Sequence, residues 1–472
     1  MNVVLVNPPV TRRERYGTLA PAGAYSPPLA LCSLAAVVRA LGHEAAIVDA
    51  PVEGLDPDQT VERVTACRPD LVGITSTTAT FANAARLAES IKGRQPNVRV
   101  FAGGVHVSAL PEETLAGTPA FDAVVIGEGE DTVADLLSAV QHKRPLREVP
   151  GIVFRENEAP VRTPARPLIQ DLDRLPLPAW DLLKRFPDGY NLQAQSVARS
   201  PSISVCTSRG CAGRCTFCDR RVFGSRLRAH SAGYILNLLK GLKENYGVRD
   251  VQFEDDNFML FRKRLFAFCD LLRESGLDLT WSCQARVDAV RPDVLEKMKE
   301  SGCWMILYGI ESASQKVLDA MGKGITVAQI ERAIALTHRA GIQCKGFFIT
   351  GFLNEDRESL AETYAFIKRC RLDDISNHYF CPFPGSESHG EVERYGRLQG
   401  DFSDMTFYRP VFIPNTLTEE DLVRHTKACY RAFYFGPRTL LRYLRRVRRP
   451  RDLWFFARSG WALLQYLLFR KQ

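Results

Sequence analysis

Three thiols fall within eight residues in Cys211-Ala-Gly-Arg-Cys215-Thr-Phe-Cys218, directly after the strand-like run 202–206. A loop this short wraps a small inorganic core. Iron–sulfur clusters usually take four thiolates, so three leave one iron open to the amino and carboxylate groups of an amino acid. A structural zinc site with a fourth ligand such as His230 is the bland alternative. The spacing argues against it, because zinc ligands usually arrive as two separated cysteine or histidine pairs. Cys206, on the preceding strand, is read as a non-ligand. The chain has 13 cysteines, an odd number with one tight cluster, which fits a reducing compartment rather than a disulfide framework. Cys32, Cys67, Cys269, Cys303, Cys344, Cys370 and Cys429 stand singly among apolar or helical residues and read as packing thiols.

The loop must be positioned by a chain of 472 residues, more than one core usually organises, so two domains are expected. Hydrophobic residues at 45% and charged residues at 25% exclude disordered and collagen-like classes. Residues 1–142 alternate short apolar strands (3–6, 45–49, 71–76, 98–102, 123–126) with helical segments. This is the pattern of a doubly wound, Rossmann-like parallel sheet, which binds ligands at the carboxyl ends of its strands. Residues 143–198 break the rhythm with prolines from Pro145 to Pro178 and read as a connector. Residues 199–400 resume it in about six strand–helix units, with the last strand expected at 378–381, and suit a partial (β/α)6 barrel. Residues 401–472 read as a helical, basic tail. From 424 to 472, thirteen Lys and Arg face one acid, Asp452, giving +12 of a total +8 and leaving −4 for the rest. The body is therefore no polyanion-binding surface, and nucleic acid is not an expected partner. The amino terminus shows no basic region or cleavage signal, so a cytoplasmic location is expected.

The cysteine motif, with the aromatic Phe217 before its third cysteine, resembles that of the radical S-adenosylmethionine superfamily. The amino-terminal half resembles the cobalamin-binding domain that precedes the radical domain in one large subgroup, through Gly103-Gly-Val-His-Val-Ser-Ala-Leu-Pro111 and Ile126-Gly-Glu-Gly-Glu130. The resemblance covers most of the chain. It implies a [4Fe–4S] cluster on Cys211, Cys215 and Cys218, charged by a donor such as flavodoxin or ferredoxin. One electron then cleaves bound S-adenosylmethionine to methionine and a 5′-deoxyadenosyl radical, which takes hydrogen from an unactivated carbon. The protein's part is to orient the cofactors and exclude water and oxygen.

The same resemblance nominates the remaining site residues. Asp255 and Asp256, after the second barrel strand, would receive the ammonium of S-adenosylmethionine, with a turn or helix cap as the alternative. Glu311, in Tyr308-Gly-Ile-Glu311, matches the carboxylate that holds the ribose hydroxyls, and Gly351 would let the backbone approach the adenine. Gln284 and Arg286 end the third strand at the same mouth, or form a structural pair. In the first domain, Gly103 and Gly104 would clear room for the nucleotide tail of cobalamin, and Ser76 and Thr77 would bond its polar edge. His106 is a corrin contact or a packed histidine. One departure stands out. Cobalamin domains that supply an axial histidine carry Asp-x-His-x-x-Gly, and the corresponding run is read here as Asp49-Ala-Pro-Val-Glu-Gly54, where Pro51 cannot ligate cobalt. Cobalamin is then expected without a protein imidazole below it.

With cobalamin, the implied reaction is methyl transfer: one S-adenosylmethionine methylates the cobalt, a second makes the radical, and the substrate radical collects the methyl group. The expected substrate is a small-molecule or lipid-like biosynthetic intermediate. Relatives of this layout also close rings, dehydrate or rearrange without methyl transfer. Methylthiolation of RNA or protein ranks lower, since its amino-terminal domain should bring three cysteines for a second cluster and only Cys32 and Cys67 stand well ahead of the motif. A non-enzymatic cobalamin-binding module needs no reducible cluster. The tail, with Arg442, Arg445, Arg446, Arg448, Arg449 and Arg451 beside Trp454, Phe455, Phe456 and Trp461, reads as a docked helix with a solvated basic face. RNA binding and contact with anionic lipid heads are its other readings, and its last apolar run is too short to span a bilayer.

Overall fold

The computed structural model describes residues 1–436 except 191 and 193, together with 439, 460–461 and 464–467. The first sheet contains β1 (Asn2–Asn7), β2 (Glu44–Asp49), β3 (Leu71–Thr75), β4 (Arg99–Gly103), β5 (Ala123–Val125), β6 (Ile152–Glu156) and β7 (Ala159–Arg162), in the order β2-β1-β3-β4-β5-β6-β7. Strands β1 to β5 are parallel, and β6 and β7 are antiparallel to their neighbours. The alternation of side chains along β1 explains why the sheet is covered on both faces. Val3 and Leu5 pack with Leu31, Ala35 and Leu136, whereas Val4 and Val6 pack with Val61, Val64, Leu87 and Ile91. The order reverses between β1 and β3, which opens a crevice beyond the carboxyl ends of the strands.

The hairpin β6–β7 falls inside the stretch expected to be a connector. Its proline is tolerated because Pro160 sits on the edge strand, where a missing N–H breaks no ladder on the open side. Ile152, Val153 and Phe154 are all buried, so this segment closes the end of the sheet.

Beyond it, β8 (Ser202–Val205) leads into a short antiparallel ribbon of β9 (Ser208–Arg209) and β10 (Arg228–Ala229). Then follow β11 (Asp250–Phe253), β12 (Thr280–Ala285), β13 (Cys303–Glu311), β14 (Gln343–Thr350) and β15 (Asp374–Tyr379). Strands β8 and β11 to β15 pair in parallel in the order β15-β14-β13-β12-β11-β8 and curl into a partial barrel. The last strand starts earlier than the expected run at 378, because Asp374, Ser376 and Asn377 are polar yet buried and give no apolar signal. Side-chain chemistry fixes the helices between them. Ser231 caps Ala232–Tyr246, which stops at Gly247 in the left-handed region (φ 65°), and capping boxes at Thr326 and Asp356 start Val327–Arg339 and Arg357–Arg369.

One apolar core runs without interruption from Leu5 and Leu136 of the first sheet to Ile203, Phe253 and Phe348 of the barrel, so the two domains are packed as one body. The outer face of the barrel centres on Phe253, Phe258, Phe268 and Trp281, with ring centroids 4.3–5.9 Å apart. On the other face, Ser204, Gln252 and Ser282 lie side by side in register on β8, β11 and β12. No helix among the described residues is long and apolar enough to cross a membrane. Arg442, Arg445, Arg446, Arg448, Arg449, Arg451, Trp454, Phe455 and Phe456 lie outside the described residues.

Each of these four rings touches the other three, so truncation of one should be costly. Phe268→Ala is expected to lower stability by about 3–5 kcal/mol, read as the shift in a denaturant unfolding curve.

Candidate active site

The three motif cysteines lie on the loop between β9 and β10. Their sulfurs converge: a Cβ placed on Gly213 would lie 3.4 Å from the Cys211 sulfur and 3.7 Å from that of Cys215. A hydrogen bond from Cys218, and then the charges of Lys323 and Arg286, bring the Cys215 thiol down to about 6 against the opposing effect of burial. Three converging thiols, one of them biased toward thiolate by neighbouring cations, fit an iron–sulfur cluster with one position free. His230 does not join them. Its ring bonds Asp173 at 3.2 Å and stacks on Tyr234 at 3.7 Å, which removes the fourth ligand of a zinc site.

Around this loop the barrel ends supply charged and polar groups. Glu311 closes β13 with φ at +65°, a conformation that points its carboxylate to Lys323 at 2.7 Å. The Lys323 ammonium also lies 5.8 Å from the centre of the Phe217 ring, and its carbonyl accepts a 2.7 Å hydrogen bond from Arg286. Phe217, Glu311, Arg286 and Cys215 thus share Lys323, a residue in a turn that no sequence pattern marked. Gly351 follows β14 with φ +88°, and its N–H donates to Glu355, whose buried carboxyl is pushed up to about 8.

Strand parity separates the acidic run after β11. Asp255 is fully buried and accepts from the Thr207 N–H at 3.1 Å, the Thr207 hydroxyl at 2.9 Å and the Ser208 hydroxyl, with Arg264 at 3.9 Å. Its carboxylate therefore braces the segment entering the cysteine loop and is turned away from the mouth. Asp256 faces the space between the domains, and burial followed by the charge of Asp255 raises its carboxyl. Glu254, unnoticed in the sequence, accepts from Gln252 at 2.6 Å and from Gln284. Gln284 thus orients a carboxylate, while Arg286 binds Asp288 at 2.8 Å. The signal was available: Gln252 and Glu254 share one side of the strand, Phe253 and Asp255 the other.

A cavity of about 440 Å³ lies at the carboxyl ends of β3, β4 and β5. Ser76, Thr77, Gly103 and Gly104 line it from the first domain, and Cys206, Val222 and Asp256 from the barrel side. Gly104 has φ +111°, and a Cβ there would fall 2.4 Å from the Ser76 carbonyl oxygen, so only glycine fits this wall. The Ser76 hydroxyl is buried without a partner. A glycine-lined crevice with an unspent hydroxyl fits a large ligand that slides along the strand ends, as cobalamin's tail does. His106 does not line the cavity. It stacks on Phe81 at 4.2 Å with Phe402 edge-on at 5.2 Å, and burial lowers it to about 4. The run Asp49–Gly54 does not line it either, because it follows the edge strand β2, where Asp49 is held by Asn7 at 2.8 Å and Tyr190 at 2.7 Å. Pro51 is therefore not the residue beneath a corrin. Leu29, Leu31 and Leu34, after β1, border the cavity on that side, and residues 7–28 before them contain no histidine.

Family profiles match the B12 binding domain at residues 17–137 and the radical SAM superfamily at residues 205–367. The chain is 34% identical over 444 residues to an uncharacterized methyltransferase of Pyrococcus horikoshii, covering 94% of each chain. It belongs to the cobalamin-binding radical S-adenosylmethionine family. This family member is also 30% identical over 417 residues to the anaerobic magnesium-protoporphyrin IX monomethyl ester cyclase of Rubrivivax gelatinosus, covering 87% of this chain and 74% of that one. Its fold matches the cobalamin-dependent S-adenosylmethionine radical enzyme OxsB, solved with aqua-cobalamin and S-adenosylmethionine bound, with a TM-score of 0.75 and 20% identity. That match covers 99% of this chain and 72% of the other. As a radical S-adenosylmethionine enzyme it uses a [4Fe–4S] cluster, S-adenosylmethionine and cobalamin.

Two buried groups of this enzyme give measurable expectations. Asp255→Asn leaves the Arg264 guanidinium buried without its counter-charge, so stability should fall by about 3 kcal/mol, measured by denaturant titration. Between pH about 4 and 6.5 the unfolded chain protonates His106 and the folded chain does not, so folding weakens as pH falls through that window. His106→Phe should retain more stability than the native chain at pH 5, by about 1 kcal/mol per pH unit crossed, with little difference at pH 8.

Proposed function

We propose that this enzyme attaches a methyl group to an unactivated carbon of a small-molecule substrate. The observation that carries the reading is the position of the cavity: Asp256 and Cys206, beside the cluster loop, form one wall of the space whose other wall is the glycine-lined crevice. When bound, the cluster with S-adenosylmethionine would supply a radical and cobalamin would supply the methyl group. Cys211, Cys215 and Cys218 hold the cluster. Phe217, Glu254 and Asp256 would hold the methionine part of S-adenosylmethionine, Glu311 with Lys323 would take the ribose, and Gly351 would leave room for adenine. Gln284 and Arg286 hold Glu254 and the Lys323 turn in place. Ser76, Thr77, Gly103 and Gly104 receive the cobalamin tail, while His106 and Asp255 support the walls. A flavodoxin or ferredoxin type of donor supplies the electron. The 34% identical methyltransferase supports methylation over ring closure. The cyclase relative keeps ring closure as the second reading, because it shares both domains over most of this chain.

The test begins with anaerobic reconstitution with iron, sulfide and hydroxocobalamin. About four irons and one cobalt per chain are expected, with iron lost and cobalt retained in Cys215→Ala. With S-adenosylmethionine and a strong reductant, methyl transfer requires S-adenosylhomocysteine as well as 5′-deoxyadenosine. 5′-Deoxyadenosine alone would overturn methylation in favour of ring closure or rearrangement. Glu254→Gln should raise the KM for S-adenosylmethionine about tenfold while leaving the visible spectrum of the cluster unchanged.

A further inference from the structure

The cysteine loop is attached to the cobalamin-binding domain by a route that passes through neither cofactor. It springs from the ribbon in which Arg209 of β9 pairs with Arg228 of β10. Both arginines reach across to the loop Gly127–Glu130, which borders the cavity. Arg228 Nη1 donates to the Glu128 carboxylate at 2.7 and 2.8 Å, and Arg209 donates to Glu128 at 2.9 Å and to Glu130 at 2.5 Å. All four residues are largely shielded from water, with side-chain exposures between 3% and 13%. The attachment extends to both ends of the loop. Arg228 Nη2 donates to the Phe223 carbonyl at 3.0 Å, and Arg209 lies 5.3 Å over the Phe223 ring. On the other side, Ser33, from the helix Leu29–Ala40, donates to Glu130 at 3.0 Å.

A buried ion network of zero net charge adds little net stability, because desolvation offsets most of the attraction. The continuous apolar core already joins the domains. What two guanidiniums locked on two carboxylates add is direction, since their bonds hold only in one relative placement. Burial alone would raise the Glu130 carboxyl, but the charge and hydrogen bonds of Arg209, with a backbone N–H and the Ser33 hydroxyl, hold it below its usual value.

We propose that Arg209 and Arg228 are positioning residues that set the distance between the cluster loop and the cobalamin site by gripping Glu128 and Glu130. The proposal rests on the two-cofactor reading above. Misplacement of a reacting group by about 1 Å costs on the order of a hundredfold in rate, so a clamp at this point governs coupling between the cofactors more than the binding of either.

The reconstituted full chain tests it in three forms: Arg209→Met, Arg209→Lys, and the charge exchange Arg209→Glu with Glu130→Arg. Two readouts are made beside iron and cobalt contents. One is the relaxation of the cob(II)alamin electron spin by the reduced cluster, which reports their separation without turnover. The other is the ratio of S-adenosylhomocysteine to 5′-deoxyadenosine formed with S-adenosylmethionine and a strong reductant. In Arg209→Met both cofactors should remain, the spin relaxation should weaken, and the ratio should fall about tenfold or more. Arg209→Lys should recover part of each signal, and the charge exchange more than either single replacement. Native relaxation and a native ratio in Arg209→Met would overturn the proposal, as would loss of iron or cobalt from all three forms, which would mark the network as a fold requirement only. A native chain that takes up no cobalt would overturn the two-cofactor reading and this proposal together, and that result shows in the control before any variant is compared.

Discussion

Glu128 is a carboxylate with 7% of its surface exposed, and a charge so placed costs several kcal/mol unless its oxygens are filled. They are filled from three separate parts of the chain. Arg209 and Arg228 come from the barrel side, and the N–H of Ile169 comes from the stretch between the domains at 2.8 Å. The Ile169 carbonyl in turn accepts from Arg228 at 2.8 Å. Satisfying one carboxylate therefore requires the cavity loop, the interdomain stretch and the base of the cysteine loop to arrive together. This is why residues 143–198, proline-rich and irregular, do not act as a slack tether: their backbone is among the ligands of the central charge.

The same requirement shows where the sequence was readable. Alternation of apolar strands and helices gives the doubly wound sheet and the barrel, because burial of both sheet faces leaves an unmistakable hydrophobic rhythm. The cysteine loop was readable because three thiols in eight residues have few other uses. Residues whose value comes from long-range partners were not. Lys323 lies in a turn and matters through Glu311, Phe217 and the neighbouring thiols, none of them near it in the chain. Strand β15 was misplaced because its buried positions are Asp374, Ser376 and Asn377, which hydropathy reads as surface.

Parity and topology decide the two places where motif matching and structure diverge. Successive residues of a strand point to opposite faces, so Asp255 cannot share the mouth with Glu254, and its carboxylate goes to Thr207 and Ser208. For Asp49 the issue is the strand it follows. A crevice opens where strand order reverses, between β1 and β3, and a residue after the edge strand β2 stands to one side of it however well its local sequence fits. The loop after β1 leads instead to leucines, which present no nitrogen to a metal.

The parallel strands of each sheet gather their loops at their carboxyl ends, so a shared site requires only that those ends face each other. Apolar packing can bring them face to face but is non-directional and tolerates small rotations. Radical chemistry does not, because the carbon that loses hydrogen must be the carbon the second cofactor reaches. The polar contacts between the domains are concentrated where this tolerance has to end: at Gly127–Glu130, which touches the cavity, and at Arg209 and Arg228, which flank the cysteine loop. Hydrophobic burial thus accounts for the assembly of the domains, and four ionised side chains account for its precision.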